Sequence, residues 1–264
     1  MNGESFKQPQ KNELARGDEI IIENLASHLE NPVRQIINQL KSRIDRGEYQ
    51  IIIGDDASGR LPTLVLHKIL SSIYKSRGFP KLQTRFIAGT HGNPWYKDFL
   101  QRKKKERIRE YIKNLKTFLD KGALPGRILI VSEFIEKGGG LNPLATLLNE
   151  ARIEYDIATV GIASRTVQQE LEKQWGHKII PGEITTSSYI HNMNKYTGVM
   201  KDNPNLHARK LRLGDKSYSG PGNEVEEIIF DEDTSLRVSE TRKHLGELAK
   251  RLADEYSQQK PPSE

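Results

Sequence analysis

Two glycine-rich stretches carry the side chains and backbone needed to hold a phosphate. One reads Gly54-Asp55-Asp56-Ala57-Ser58-Gly59-Arg60, the other Ser132-Glu133-Phe134-Ile135-Glu136-Lys137-Gly138-Gly139-Gly140-Leu141. Consecutive glycines accept positive φ and let backbone N–H groups converge on an anion, and a helix starting behind them adds the positive end of its dipole. Arg60 and Lys137 bring full positive charge, while Asp55, Asp56, Glu133 and Glu136 place carboxylates beside it. A phosphorylated ligand suits this mixture. With no ligand at all, Asp55, Asp56 and Ser58 would equally serve as turn and cap residues.

Each stretch needs a strand before it and a helix after it. The short β-branched runs at 50–54 and 128–131 predict buried parallel strands, and residues 84–88 and 155–161 predict two more. A helix opens at Pro62 with an apolar face of Leu66, Ile69, Leu70 and Ile73. Another opens where Asn142 can cap and Pro143 fits the first turn. Helical spacing predicts further helices over 98–121, 166–175 and 235–256. The alternation predicts an α/β fold with a doubly wound, mainly parallel sheet, Rossmann-like in kind, in which ligands bind beyond the carboxyl ends of the strands. Around it lie an N-terminal helical extension (1–46), read as two helices broken at Asn31-Pro32, and a C-terminal part (177–264). Residues 176–218 fill with turn residues such as Pro181-Gly182, and 224–230 make an edge strand or a short helix. The terminal helix, with Leu245, Leu248, Ala249 and Leu252 on one face, packs on the domain or on a second subunit as a homodimer.

The second glycine stretch resembles the phosphoribosyl-pyrophosphate (PRPP) loop of type I phosphoribosyltransferases (PRTases). That loop runs apolar strand, two acids, two mostly apolar residues, hydroxyl residues, paired glycines, then helix. Residues 132–141 lie along it without a gap. Ser132 stands for the first acid, Glu133 keeps the second, and Lys137 and Gly140 replace hydroxyl residues that hold the 5′-phosphate in the family. The first stretch, ending Gly59-Arg60-Leu61-Pro62, resembles the family's diphosphate loop with its Gly-Gly-Ile-Pro end. The resemblance covers roughly residues 50–175 and marks a divergent member. It implies a PRTase-like core at 47–176 and magnesium-dependent phosphoribosyl transfer, a glycosyltransferase reaction. Glu133 would accept the ribose hydroxyls, and Gly54, Ser58, Gly59 and Arg60 would clamp the diphosphate. Asp55 and Asp56 would contact magnesium or ribose, since bare carboxylates repel a diphosphate. Lys137 and the N–H groups of Gly138, Gly139, Gly140 and Leu141 would grip the 5′-phosphate, with Ser132 and Glu136 alongside. The resemblance also implies a catalytic loop carrying His91 and Trp95, and a hood formed by the turn-rich segment.

Composition sets the outer bounds. The chain has 264 residues, 35% hydrophobic and 29% charged, with no stretch apolar enough to span a bilayer, so the expected place is the cytoplasm. Without cysteine, thiolate metal sites and cysteine nucleophiles are excluded. No Gly-x-Ser-x-Gly turn marks a serine hydrolase, and the seven histidines have no ligand spacing on a helix. A net charge of +6 favours phosphorylated partners. Beside the transferase stands a non-catalytic nucleotide- or PRPP-binding regulator on the same pocket. Third comes a nucleic-acid binder using the basic clusters at 102–109 and 209–212.

Overall fold

The computed structural model describes residues 16–55, 59–87, 98–122, 126–186, 196, 199–200, 209–210 and 232–259, with 98–105, 107, 199–200, 209–210 and 232–235 described by backbone alone. Asp56 and Ser58, the loop with His91 and Trp95, most of the expected hood and residues 224–230 lie outside the described residues.

Five parallel strands form the sheet: β1 (Tyr49–Asp55), β2 (Gln83–Ile87), β3 (Arg127–Ile135), β4 (Tyr155–Ile162) and β5 (Ile179–Ile184), in the order β2-β1-β3-β4-β5. A two-stranded antiparallel pair, β6 (Val199–Met200) and β7 (Arg209–Lys210), stands apart from it. The helices are α1 (Arg16–Asp45), α2 (Arg60–Ser76), α3 (Asp98–Asp120), α4 (Asn142–Glu150), α5 (Arg165–Trp175) and α6 (Glu232–Gln258). The chain winds outward from β1 to β2, then outward in the other direction from β3 to β5, so the sheet is doubly wound. Its direction reverses between β1 and β3. At such a reversal the helices leave on opposite faces and a crevice opens at the carboxyl ends.

Alternation within each strand sorts the core into two halves. Ile52, Leu129, Val131, Ala158 and Ile180 pack with α1, α2 and α6, whereas Ile51, Ile53, Ile128, Ile130 and Ile157 pack with α3, α4 and α5. Both faces of the sheet are covered, and for that reason its central strands are continuous apolar runs. α6 belongs to the first half through Leu245, Leu248, Ala249, Leu252 and Tyr256, so its stripe packs on the domain itself. No described helix is long and apolar enough to cross a membrane.

Three elements differ from the sequence expectation. α1 is one helix of 30 residues running through Pro32. Leu25 and Leu29 before the proline and Val33, Ile36, Ile37 and Leu40 after it bury one continuous stripe. At about 1.5–3 kcal/mol per buried side chain, that stripe outweighs the ~3 kcal/mol of an interior proline. β3 extends past Val131 to Ile135, because Ser132, Phe134 and Ile135 find ladder partners in Thr159, Gly161 and Ile162 of β4. The segment expected to be a turn from Ser132 onward is therefore strand for four more residues. Pro181 and Gly182, read as a turn, lie inside β5. As an edge strand, β5 tolerates the missing proline N–H.

Candidate functional site

At the reversal, the ends of β1 and β3 lie side by side, with Gly54 in register with Val131. Asp55 closes β1, and the Ser132 hydroxyl donates to its Oδ2 at 3.4 Å. Ser132 and Glu133 are 2% and 3% exposed. Gly59, the N-cap of α2, donates its N–H to the Asp55 carbonyl at 2.9 Å. A Cβ on Gly59 would lie 2.6 Å from the Val131 carbonyl oxygen and 2.7 Å from the Asp55 backbone. Only glycine lets α2 start this close to two strand ends, and no side chain caps the helix there. Arg60 is its first residue and is 7% exposed, with its guanidinium carbon 4.8 Å from the centre of the Phe86 ring. Of the first corner, the structure thus brings Gly54, Asp55, Gly59 and Arg60 to the crevice beside Ser132 and Glu133.

The second corner divides its residues differently. Glu136, Lys137 and Gly139 are exposed, and a Cβ on Gly139 would meet nothing within 4 Å. Gly138 is buried at φ +70°, where a side chain would be strained and would strike Leu171 and Trp175. Its carbonyl accepts from the N–H groups of Leu141 (3.1 Å) and Asn142 (3.0 Å). The Leu141 amide therefore closes the turn, and its side chain, 3% exposed, joins the core. The exposed part of this corner is thus Glu136, Lys137 and Gly139, and Gly140 is half-buried. Asn142 does not cap α4, whose N-cap is Leu141 with no side-chain bond. Instead its Oδ1 accepts from Trp175 Nε1 at 3.0 Å and Gln174 Nε2 at 3.1 Å, tying α4 to α5.

Magnesium held through phosphate oxygens and water needs only one or two carboxylates from the protein. Asp55, at the strand end and braced by Ser132, fits that role, and among the described residues no group of three or more potential ligands forms a closed cage. The basic helix α3 contributes Arg109, which pairs with Glu150 of α4 at 3.2 Å. Its Ile108, Ile112, Leu115 and Leu119 enter the core, and Tyr111 packs against it. The aromatic at 111 serves packing.

Sequence reading missed a buried, multiply bonded carboxylate of the sheet. Asp156 of β4, 1% exposed, accepts from the Tyr49 hydroxyl at 2.6 Å, is bonded by Arg43 and lies 3.8 Å from Arg127. Burial, with Asp156 close by, pushes the Tyr49 hydroxyl well above its usual range. Tyr49 and Arg127 open their strands, so this cluster sits at the amino end of the sheet, opposite the crevice. Its chemistry is structural. An aspartate inside the apolar run Tyr155-Asp156-Ile157-Ala158 was the available signal.

A scan against protein-family models finds no match for this chain, and neither does a search of curated proteins.

Proposed function

We propose that the protein binds a phosphorylated ribose, PRPP or a nucleotide, at the β1–β3 reversal and is a cytoplasmic phosphoribosyltransferase. The observation that carries this reading is that β1 and β3, the strands leading into the two glycine stretches, are neighbours, with the Ser132 hydroxyl 3.4 Å from Asp55 Oδ2 at the end of β1. α2 begins at Gly59, against the ends of β1 and β3, without a side-chain cap, leaving the positive end of its dipole there. In this reading Arg60 neutralises the diphosphate, Lys137 and the Gly139 backbone hold the 5′-phosphate, and Glu133 accepts ribose hydroxyls. Asp55 takes part in holding magnesium, which when bound neutralises the departing diphosphate. The reaction forms a bond from a nucleophile to the anomeric carbon and breaks the bond to pyrophosphate, so water must be kept out.

Calorimetry with PRPP, nucleoside monophosphates and pyrophosphate, each with magnesium, tests the proposal. Wild type should bind at least one of them, and Lys137→Ala should weaken that binding about tenfold with an unchanged melting temperature. Failure of wild type to bind any of the three would end the reading. Ser132, standing where the family's loop has its first acid, favours a second reading, in which the protein binds its ligand without transfer. Pyrophosphate release from PRPP with a panel of bases separates the two.

A further inference from the structure

Gly54 of β1 stands in register with Phe86 of β2. A Cβ at Gly54 would lie 2.6 Å from two atoms of the Phe86 ring and 2.7 Å from Thr63 Oγ1. The ring therefore occupies the space that a side chain at position 54 would fill. Above it sits the Arg60 guanidinium, 4.8 Å from the ring centre. Phe86 and Arg60 are 5% and 7% exposed. A cation over an aromatic face is attracted by the ring quadrupole, most strongly where water is excluded. An arginine already fixed in this way has less side-chain freedom to lose when an anion arrives.

We infer that Phe86 is a positioning residue for the anion site: its ring holds the Arg60 guanidinium at the carboxyl end of β1, beside Gly54. This role rests on the phosphate-binding reading proposed above. It also assigns Gly54 a different task from the one its place in a glycine-bounded loop implies. Gly54 admits the ring that carries the charge.

Titrating the full chain with pyrophosphate and magnesium tests the assignment, using wild type, Phe86→Met, Phe86→Tyr and Arg60→Met. Methionine keeps apolar bulk but has no aromatic face, and tyrosine keeps the face. Phe86→Met should weaken pyrophosphate binding about tenfold, equivalent to ~1.4 kcal/mol, and Phe86→Tyr should restore it. In the Arg60→Met background, Phe86→Met should cause no further loss, an outcome that a merely structural role for the ring does not give. Should Phe86→Met fail to fold, Phe86→Leu repeats the comparison. Equal binding by wild type and Phe86→Met overturns the positioning role and leaves the site standing. A wild type that binds neither pyrophosphate nor PRPP overturns the positioning role, and one that binds no nucleoside monophosphate either overturns the phosphate-binding reading as well.

Discussion

Asp156 is a carboxylate taken out of water and compensated by Tyr49, Arg43 and Arg127 at once. Removing one partner of a buried ion pair costs more than the pair is worth, because the remaining charge stays desolvated. Asp156→Asn should lower the unfolding free energy by about 3 kcal/mol in urea titrations, and a loss under about 1 kcal/mol would mean that the cluster is solvated. Stability also depends on pH, through His67. Burial, the largest influence, lowers the pKa of His67, whose ring nitrogen lies 3.2 Å from Ser71 Oγ and 3.4 Å from the Leu82 carbonyl. In the unfolded chain the imidazole titrates near 6.5, so below that pH the unfolded state binds the extra proton. The stability contributed by neutral His67 is complete above about pH 6.5 and declines as the pH falls below it. His67→Gln should flatten the fall in stability between about pH 7 and 5 relative to wild type; parallel curves would refute this. Asp45 acts in a lower window. Burial alone would raise it, but hydrogen bonds from Tyr256, Arg77 and Lys41 outweigh burial and hold it below its usual value. Its contribution is present above about pH 4 and is lost on further acidification.

α1 and β5 depend on each other at one contact. A Cβ on Gly182 would fall 2.5 Å from the Pro32 Cβ and 2.6 Å from its backbone, so the helix backbone rides directly on the edge strand. Gly182→Val should push α1 off β5 and destabilise by roughly 1–3 kcal/mol or more, with a lowered melting temperature as the readout. Gly182→Ala, smaller but still inside contact distance, should fall between the two. At the other face α4 and α5 are joined by Asn142, whose side chain takes the Trp175 and Gln174 donors. Asn142→Ala leaves the buried indole N–H without that acceptor and should lower stability by about 1–2 kcal/mol in the same assay. A neutral result would show that water replaces the amide.

At the scale of the whole molecule, α6 completes the layer formed by α1 and α2. Leu248 is 3% exposed within it, and Leu248→Ala should destabilise by about 2–5 kcal/mol. A chain ending at residue 231 should lose its cooperative thermal transition; a normal one would make α6 an appendage rather than core. Local periodicity was enough to place the four strand–helix units from β1 to α5 and the terminal helix, because a buried strand and an amphipathic helix each write their environment into consecutive residues. It also singled out both glycine corners, where glycine permits close backbone approach at Gly59 and positive φ at Gly138. What it missed depended on contacts between residues far apart in the chain. Pro32 stays helical because of the stripe on either side of it, Pro181 enters a strand because that strand lies at an edge, and Ser132 remains in β3 because β4 is long enough to pair with it. The same dependence governs the proposed site: residues 54–60 and 132–141 were singled out as candidate phosphate-binding types, but the approach of Ser132 to Asp55 follows from β1 and β3 being neighbours. Only tertiary structure decided that Leu141 and Asn142 close a turn and that Phe86 lies beneath Arg60. Hydrogen-bond partners and ring stacking are set by which strands adjoin, and spacing along the chain does not encode that choice.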